Sequence, residues 1–445
     1  MSTPAEPWRG RSIHLVGVGG AGMSAYARAA HALGATVTGS DAHDGPYLQA
    51  LRSDGVLDAS VGHTAANLPR GDRVELYHSS AVPAGNPERV AARERGVPEW
   101  PRARLLGELS AMRRTIAVAG THGKTTTAAM VVHALRGAGL QPGWLIGATI
   151  GDGLANGHWS EGEWLVIEAD ESDRSLLELE VELALLTNVE LDHHSSFNSL
   201  SELRELFRAF LACAATAVIW NRPELLELRE GPVVAYDVPH PALEPGGSRF
   251  EWHGREVRLS VPGAHNALNA AGALELARLA GADEDAAIAA LAAFPGAARR
   301  FQRVGESLRG ALVYDDYAHH PSEIAATLQG AATLEHRRLV AVFQPHLYSR
   351  TRALAGELGR ALSAADVVAV LDVYPARERA EDFPGVSGLL VAEAAADAAG
   401  GRPVYWLADV DTAERVLRDL LREGDVCVVM GAGDADQLAA GLVRR

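Results

Sequence analysis

The chain has 445 residues, long enough for about three domains, and its hydrophobic fraction of 47% is that of a globular protein with a sizeable core. Its net charge of −16 argues against a general nucleic-acid binder. No apolar run reaches the ~18 residues that span a bilayer, no signal peptide is evident, and the two separated cysteines suit a reducing compartment. We expect a soluble cytoplasmic protein that binds no nucleic acid and does not insert into a membrane.

The first part of the chain alternates predicted strands with predicted helices. IHLVGVGG (13–20) reads as a buried strand, AGMSAYARAAHAL (21–33) as a helix, ATVTGSD (35–41) as the next strand and VELYHSSAV (74–82) as a later one. Such alternation predicts a parallel, doubly wound α/β sheet. Two prolines in GVPEWPRARLLGELSAMRR favour a domain boundary near 110.

A glycine-rich loop follows the first of these strands. Gly17, Gly19 and Gly22 form G-x-G-x-x-G at the start of a helix, and Asp41 ends the next strand. This pattern predicts a diphosphate at the helix N-terminus and a carboxylate near a ribose, without specifying the nucleotide. The alternative is a glycine-rich turn that binds nothing.

A second loop, TIAVAGTHGKTTT (115–127), opens the next α/β unit. Gly123, Lys124 and Thr125 supply backbone N–H groups, a cation and a hydroxyl for Mg²⁺, although Val118 replaces the first glycine of the usual signature. Such a loop binds the β- and γ-phosphates of ATP or GTP. Two loops on two domains predict two phosphorylated ligands.

Acidic residues follow the strands of this unit. Glu168, Asp170 and Glu171 end the predicted strand WLVIEAD, and Asp192 and His193 follow LALLTNV, which precedes an amphipathic helix at 200–215. Carboxyl ends of parallel strands share one edge of the sheet, where a carboxylate can reach Mg²⁺.

The third α/β unit starts near 298, after Pro295 and Gly296, with strands predicted in RRLVAVFQ, DVVAVLDVY, PVYWLAD and DVCVVMGAGD. Most of the 17 histidines are expected to be structural or surface residues, but those in DHH (192–194), DDYAHH (315–320) and PH (345–346) follow strands, which makes them candidates for a functional role. Basic residues that can neutralise phosphates and carboxylates are Arg299, Arg300, Arg350, Arg352 and Arg377.

Together these motifs resemble the Mur ligases over nearly the whole chain. The resemblance rests on GVGGAGMS, GSD, HSSAV, AGTHGKTTT, EADESD, TNVELDH, HNALNA, RRF, DDYAHHPSE, FQPHLYSRT, ARE, GVSG and GAGD. It implies three domains: a Rossmann-like UDP-sugar-binding domain (1–110), a central P-loop-type ATP-binding domain (111–297) and a Rossmann-like substrate- and amino-acid-binding domain (298–445).

The activity implied by the resemblance is ATP-dependent ligation of an amino acid to a carboxylate in peptidoglycan synthesis. It is closest to family members that join L-alanine to the lactyl carboxylate of UDP-N-acetylmuramate through an acyl phosphate, releasing ADP and phosphate. Those two small molecules would be the substrates, ATP and Mg²⁺ (with Mn²⁺ as a substitute) the cofactors, and the cytoplasm the location. The role would lie in cell-wall biogenesis, cell shape and division.

The resemblance also implies the nucleotide-binding residues. Lys124 and Thr125 would hold the β- and γ-phosphates, Asn269 would lie nearest the base and Asp316 nearest the ribose. The ATP set is Gly120, Thr121, His122, Gly123, Lys124, Thr125, Thr126, His265, Asn266, Asn269, Arg300 and Asp316. The UDP-sugar set is Gly19, Gly20, Asp41, Ser79 and Ser80.

The remaining implied roles concern catalysis. The metal would be held by Thr125, Glu168 and His193, and the amino acid by Tyr317, His319 and Arg350, with His346 in the same pocket. The catalytic set is Lys124, Glu168, His193, Arg300, His319, His346 and Arg350. Two positions depart from the family pattern: Leu347 stands where a basic residue is usual, and Ser195 where an aspartate is common.

Three alternatives stay open at this point. A sister ligase that attaches a recycled peptide to the same sugar nucleotide would share most of the motifs, although FQPHLYSRT favours the alanine-adding activity. A nicotinamide dehydrogenase would account for the first loop only. A nucleotide-sensing module without activity would keep both loops.

Overall fold

The computed structural model describes residues 6–71, 73–151, 153–192 and 196–444. Across these residues the chain forms two compact units. The first holds the chain up to Glu190 together with Ser199–Asp237 and Gly272–Ala290, and the second holds Leu191–Asn198, Val238–Ala271 and the chain from Leu291 onward. Each unit contains two sheets.

The strands of the described residues are, in chain order, β1 Ser12–Val16, β2 Thr36–Asp41, β3 Ala59–Val61, β4 Val74–His78, β5 Glu99–Pro101, β6 Arg114–Ala119, β7 Gly143–Leu145, β8 Gly157–His158, β9 Trp164–Glu168, β10 Leu183–Leu186, β11 Thr216–Trp220, β12 Val233–Tyr236, β13 Ala242–Glu244, β14 Gly247–Trp252, β15 Arg255–Leu259, β16 Gln302–Glu306, β17 Leu312–Asp316, β18 Arg338–Phe343, β19 Val367–Leu371, β20 Val404–Leu407 and β21 Asp425–Met430.

The α-helices of the same residues are α1 Ala21–Ala32, α2 Pro46–Ser53, α3 Pro87–Glu94, α4 Arg102–Ser110, α5 Lys124–Gly137, α6 Leu200–Cys213, α7 Pro223–Leu226, α8 Ala264–Leu279, α9 Glu284–Ala292, α10 Pro321–Ala331, α11 Tyr348–Leu362, α12 Gly388–Ala398, α13 Val410–Leu420 and α14 Ala435–Val443. Among the described residues, no helix is long and apolar enough to cross a bilayer.

The first unit places both predicted loops at the middle of a sheet. Its five-stranded parallel sheet has the order β3-β2-β1-β4-β5. Its seven-stranded sheet has the order β12-β11-β10-β6-β9-β7-β8 and is parallel except for β8, which pairs antiparallel with β7. Strand order reverses at β1 and at β6. Ligands of open α/β sheets bind at such points, outside the carboxyl ends of the strands.

The second unit contains a parallel sheet covered on both faces. The order is β16-β17-β21-β18-β19-β20, with only β16 antiparallel. Helices α10 to α12 pack on one face around Phe343, and α13 and α14 pack on the other around Leu417 and Leu438. Both faces are buried, which is why β21 (DVCVVM) is apolar almost throughout instead of alternating.

Local sequence explains the elements that were predicted. In α6, Leu203, Leu206, Phe207 and Phe210 recur at helical spacing and are buried, and Ser199 caps the helix by accepting a hydrogen bond from the Glu202 backbone N–H. The predicted α/β class with parallel sheets is confirmed. The antiparallel sheet β13-β14-β15 and the β16–β17 pair were not predicted.

Close helix packing in the second unit generates a stability prediction. A Cβ on Gly359 of α11 would stand 2.5 Å from the Cβ of Ala394 on α12, whereas a Cβ on Gly356 would meet only the Arg360 side chain at 3.6 Å. We expect Gly359→Ala to lower the free energy of unfolding by about 1–3 kcal/mol through overpacking.

The matched control is Gly356→Ala on the same helix, which we expect to raise stability by about 0.5–1 kcal/mol through helix propensity. Urea unfolding gives the size of each effect, and hydrogen exchange of the α11 amides localises it. Equal stability of the two variants would contradict the packing argument.

Candidate functional site

The loop between β6 and α5 adopts a conformation that only glycine fits at two positions. Gly120 has φ +131° and Gly123 has φ +82°. A Cβ at Gly120 would collide with the Thr187 hydroxyl and with the backbone of Asn188. Gly123 is the N-cap of α5, so the loop leads directly into a helix N-terminus, where anions are stabilised.

Thr187 and Asn188, which follow β10, hold this loop in place. The Asn188 Oδ1 accepts from the His122 backbone N–H at 2.9 Å, its Nδ2 donates to the His122 carbonyl at 3.0 Å, and its carbonyl accepts from the Thr121 N–H at 3.0 Å. The Thr187 hydroxyl donates to the His122 carbonyl at 2.6 Å. Neither Thr187 nor Asn188 is among the predicted site residues. The sequence signal that could have indicated them is their position at the end of a predicted strand, at the same edge of the sheet as the loop.

Lys124 folds over the loop and is paired with an acid. Its Nζ donates to the Gly120 carbonyl at 2.6 Å, to the Thr121 carbonyl at 2.9 Å and to Glu171 Oε1 at 3.1 Å. Burial alone would lower the pKa of Lys124, but the carboxylates of Glu171 and its neighbours outweigh burial and hold that pKa above its usual value. The loop therefore carries an ammonium group that is paired with the Glu171 carboxylate.

Glu168, at the end of β9, faces the first turn of α5. Its Oε1 accepts from the Thr125 hydroxyl at 2.7 Å, and its Oε2 accepts from the Gly147 backbone N–H at 2.5 Å. The predicted pair Thr125 and Glu168 is thus brought together. These two oxygens are of the kind that Mg²⁺ prefers.

The acidic residues at the end of β9 and in the turn that follows have different partners. Asp170 and Asp173 are held by Arg102 of α4, at 2.8 and 2.5 Å, while Glu171 between them faces Lys124. Burial acts to raise the pKa of Asp170, but Arg102 and Lys124 hold it well below the usual range. Asp170 is therefore an ion-pair partner of Arg102, and Glu168 is the acid beside Thr125.

The loop after β1 borders a cavity of about 530 Å³. The Asp41 carboxylate accepts from the Gly19 N–H at 2.9 Å and from the His43 N–H at 3.2 Å. Of the predicted UDP-sugar residues, Gly20, Asp41 and Ser79 line the cavity, while Gly19 and Ser80 are their chain neighbours. Its other lining residues are Gly17, Ala42, His63, Ala81, Val82, Pro83, Gly85, Asn86 and Pro87.

The second unit assembles a buried charged cluster around Asp192. Arg350 donates through Nε at 3.0 Å and through a terminal nitrogen at 2.8 Å to Asp192 Oδ1, and both side chains are buried. His319 Nε2 lies 3.8 Å from the other Asp192 oxygen, and Arg350 also donates to His346 Nδ1 at 3.1 Å. Burial and the neighbouring His319 and Arg350 lower the pKa of His346 to about 3, so this imidazole is neutral.

Tyr317 contacts both this cluster and Arg300. Its ring is in T-shaped contact with His319, with 5.4 Å between centroids, and the Arg300 guanidinium lies 5.0 Å from the Tyr317 ring. Asp316 accepts from the Phe301 and Ala318 backbone N–H groups, both at 2.7 Å, and burial raises its pKa to about 6. His319, His346, Arg350, Tyr317 and Arg300 are thus brought into one neighbourhood.

The HNALNA motif occupies the first turns of α8. Asn266 Nδ2 donates to the Pro262 carbonyl at 2.7 Å, and Asn269 Nδ2 lies 3.5 Å from Asn266 Oδ1. Burial lowers the pKa of His265 to about 4, so it is neutral at physiological pH. The three side chains share one end of the helix.

Of the predicted metal ligand His193 and the two departures from the family pattern, only Leu347 falls within the described residues. His193 and Ser195 lie outside them. Leu347 is buried at 6% exposure and has φ +69°, which is strained for a branched side chain.

Comparison with known proteins identifies the family. Family models match residues 12–114 (Mur ligase family, catalytic domain), 118–277 (Mur ligase middle domain) and 299–433 (Mur ligase, glutamate ligase domain). The chain belongs to the Mur ligase family.

Named relatives of this Mur ligase cover it from end to end. The UDP-N-acetylmuramate–L-alanine ligase of Mycobacterium sp. (strain JLS) is 41% identical, over 100% of this chain and 96% of the relative. The enzyme of the same name from Rubrobacter xylanophilus is 41% identical, over 97% of this chain and 99% of its own.

Solved structures agree with the fold of this Mur ligase. The UDP-N-acetylmuramate–alanine ligase of Thermotoga maritima has a TM-score of 0.82 at 29% identity, covering 96% of this chain and 97% of that chain. A murein peptide ligase from Psychrobacter arcticus has a TM-score of 0.73 at 25% identity, covering 98% and 100%. The predicted family and fold class are confirmed, whereas the domain boundaries near 110 and 297 and the individual residue roles stay predictions.

The geometry of the loop between β6 and α5 generates a binding prediction. Because a Cβ on Gly120 would strike Thr187 and Asn188, we expect Gly120→Ala to displace the loop and weaken binding of a non-hydrolysable ATP analogue by at least tenfold. Isothermal titration calorimetry measures this. Gly139→Ala is the control, since Gly139 also has positive φ (+81°) but a Cβ there meets nothing within 4 Å. Similar affinities for both variants would refute the steric argument.

Proposed function

We propose that this Mur ligase joins L-alanine to the lactyl carboxylate of UDP-N-acetylmuramate at the expense of ATP. The observation that carries the proposal is the loop with Lys124, and Thr125 beside Glu168, in a chain 41% identical over its full length to ligases of that name. The family is ATP-dependent. A dehydrogenase function would account for the first loop only. The family match spans all three parts of the chain and excludes this alternative.

The chemical problem is that a carboxylate is a poor electrophile. A lactyl carboxylate oxygen attacks the γ-phosphorus of ATP, and the bond from that phosphorus to the bridging oxygen breaks, releasing ADP. The amine of L-alanine then attacks the acyl carbon and loses a proton. The tetrahedral intermediate collapses with cleavage of the carbon–oxygen bond, and phosphate leaves with the electron pair.

The residues of the first unit are suited to the phosphoryl step. Backbone N–H groups at the N-terminus of α5 bind phosphate oxygens, and the Lys124 ammonium neutralises charge that builds on them. The first loop and α1 bind the diphosphate of the sugar nucleotide, and Asp41 meets its ribose.

Thr125 and Glu168 fit a magnesium ion, since they offer a hydroxyl and a carboxylate oxygen 2.7 Å apart at a helix N-terminus. When bound, Mg²⁺ neutralises phosphate charge. His193 is proposed as a further ligand.

The residues of the second unit are suited to the acceptor step. Arg350 has its charge balanced by Asp192 and lies against neutral His346, so this cluster would orient a carboxylate through directed hydrogen bonds and not through net positive charge. We assign L-alanine to Tyr317, His319 and Arg350, the phosphates also to Arg300, the ribose of ATP to Asp316 and the adenine to Asn269.

The test is phosphate release with each component omitted in turn. We expect release only when ATP, Mg²⁺, UDP-N-acetylmuramate and L-alanine are all present, because the carboxylate accepts the phosphoryl group and the amine completes turnover. In a parallel reaction, L-alanyl-γ-D-glutamyl-meso-diaminopimelate replaces L-alanine. Faster release with the peptide would assign the sister activity, and equal release without the sugar nucleotide would refute the ligase assignment. No turnover with either acceptor would favour a sensing module.

Lys124→Ala tests the role of the phosphate loop. We expect kcat to fall by about a thousandfold, which corresponds to about 4 kcal/mol of transition-state stabilisation. Binding of UDP-N-acetylmuramate, measured by calorimetry, should persist, because its loop follows another strand. Arg136→Ala is the control, since it removes a cation from the last turn of the same helix. Near-normal turnover of Lys124→Ala would show that the loop is wrongly assigned.

A further inference from the structure

A carboxylate with no exposed surface lies behind the cavity beside β1. Glu88 belongs to the first turn of α3 and is 0% exposed. The residues that precede it in the chain, Asn86 and Pro87, line the cavity. An ionised carboxylate is costly to bury unless each oxygen has hydrogen-bond partners, so the contacts of Glu88 show whether it can be ionised.

Glu88 is surrounded by hydrogen-bond donors from four different segments. His14 Nε2 lies 2.6 Å from Glu88 Oε2, His63 Nδ1 lies 2.9 Å from Oε1, and the Ser40 hydroxyl lies 2.8 Å from both oxygens. Asn67 Nδ2 donates to Oε1 at 3.2 Å. Burial acts to raise the pKa of Glu88, but the hydrogen bonds from His14, Ser40 and His63 outweigh it and hold the pKa below its usual value.

This arrangement fixes the tautomer of His63. An ionised carboxylate only accepts hydrogen bonds, so His63 Nδ1 must carry the proton that it shares with Glu88. In a neutral imidazole, the other nitrogen is then an acceptor. Both ring nitrogens of His14 have partners inside the network, since its Nδ1 lies 2.8 Å from the Thr38 hydroxyl, and its side chain is 1% exposed. His14 is therefore not placed to contact a ligand.

His63 is the histidine of this network that reaches the cavity. Its side chain is 19% exposed, and it lines the cavity together with Asp41 and Ser79. Val82, Pro83 and Pro87 add apolar wall to the same cavity, which suits the face of a flat nucleobase. In the neutral form of His63, Nε2 beside such a wall can accept a hydrogen bond from a donor on a ligand.

We propose that His63 is a specificity-determining residue whose Nε2 accepts a hydrogen bond from the uridine of the sugar nucleotide, with Glu88 as the positioning residue that fixes its orientation and tautomer. The assignment rests on the proposed function, because it takes the ligand of this cavity to be a uridine diphosphate. The diphosphate carries no donor at neutral pH, so the partner of His63 is the uracil N3–H or a ribose hydroxyl.

The experiment measures UDP affinity by calorimetry for the wild type and for His63→Asn. Asparagine keeps an amide near the position of Nδ1, so it can still donate to Glu88, but it places no acceptor at the position of Nε2. We expect UDP affinity to fall three- to tenfold, which is the range for one neutral hydrogen bond. His31→Asn, at an exposed position on the last turn of α1, is the matched control and should bind UDP as the wild type does.

Three analogues identify the partner: UDP methylated at uracil N3, 2′-deoxy-UDP and 3′-deoxy-UDP. For the analogue that lacks the true donor, the wild type and His63→Asn should bind equally, whereas the other two should keep the full difference. Glu88→Gln should reproduce this analogue pattern, because a glutamine that donates to His63 reverses its tautomer. A residue that only shapes the cavity would change all affinities by the same factor.

Several outcomes overturn the assignment. An equal loss for all three analogues, or no loss in His63→Asn, rejects the role of His63 while leaving the ligase function in place. A wild-type chain that does not bind UDP at all rejects both. If Glu88→Gln fails to fold, as judged by circular dichroism, the wild-type and His63→Asn titrations still decide the role of His63.

Discussion

The contact of Gly120 with Thr187 and Asn188 is the constraint on which the phosphate loop depends. With no side chain at position 120, the loop lies directly on the segment after β10, and Asn188 bonds to it through both ends of its amide. Asn188 accepts from the Thr121 and His122 backbone N–H groups, so the loop is fixed before any ligand arrives and little ordering entropy is lost on binding. The position of Lys124 follows, because two of its acceptors are carbonyls of that loop.

Charge balance around the loop resolves an apparent conflict in composition. A chain with a net charge of −16 has to bind several anions. It does so by giving each nearby acid a partner of its own: Glu168 faces Thr125, Asp170 faces Arg102, and Glu171 faces Lys124. In the second unit, Asp192 balances Arg350 in the same way. The acids therefore orient cations and hydroxyls instead of repelling phosphates.

Much of this could be predicted, because it is local in sequence. Gly123, Lys124 and Thr125 are consecutive, and alternating strands and helices are visible within short windows. The clamp by Asn188 and the pairing of Arg102 with Asp170 were not predictable, since their partners lie about 70 residues apart and meet only through strand order. The network of His14, Ser40, His63 and Glu88 was missed for the same reason.

The antiparallel sheet β13-β14-β15 is a different case. Phe250, Trp252, Val257 and Leu259 alternate with exposed residues on either side of a glycine turn, which is a hairpin signal. That pattern is present in the sequence, but it is short and interrupts a run of strand–helix units, so it was not recognised. Unlike the Asn188 and Arg102 contacts, this sheet could have been predicted without knowledge of tertiary contacts.

The hydrogen bonds of Lys124 also have a consequence for product release. The ammonium has three acceptors within the protein, two loop carbonyls and Glu171, at 2.6 to 3.1 Å. On the proposed assignment of ATP to this loop, these acceptors remain available to the ammonium after phosphate has left, so its charge is not left buried and unpaired. A lysine without these three protein acceptors would bind ADP and phosphate more tightly. Their exchange for the next ATP would then be slower. On the same assignment, the contact of Glu171 with Lys124 would limit product affinity.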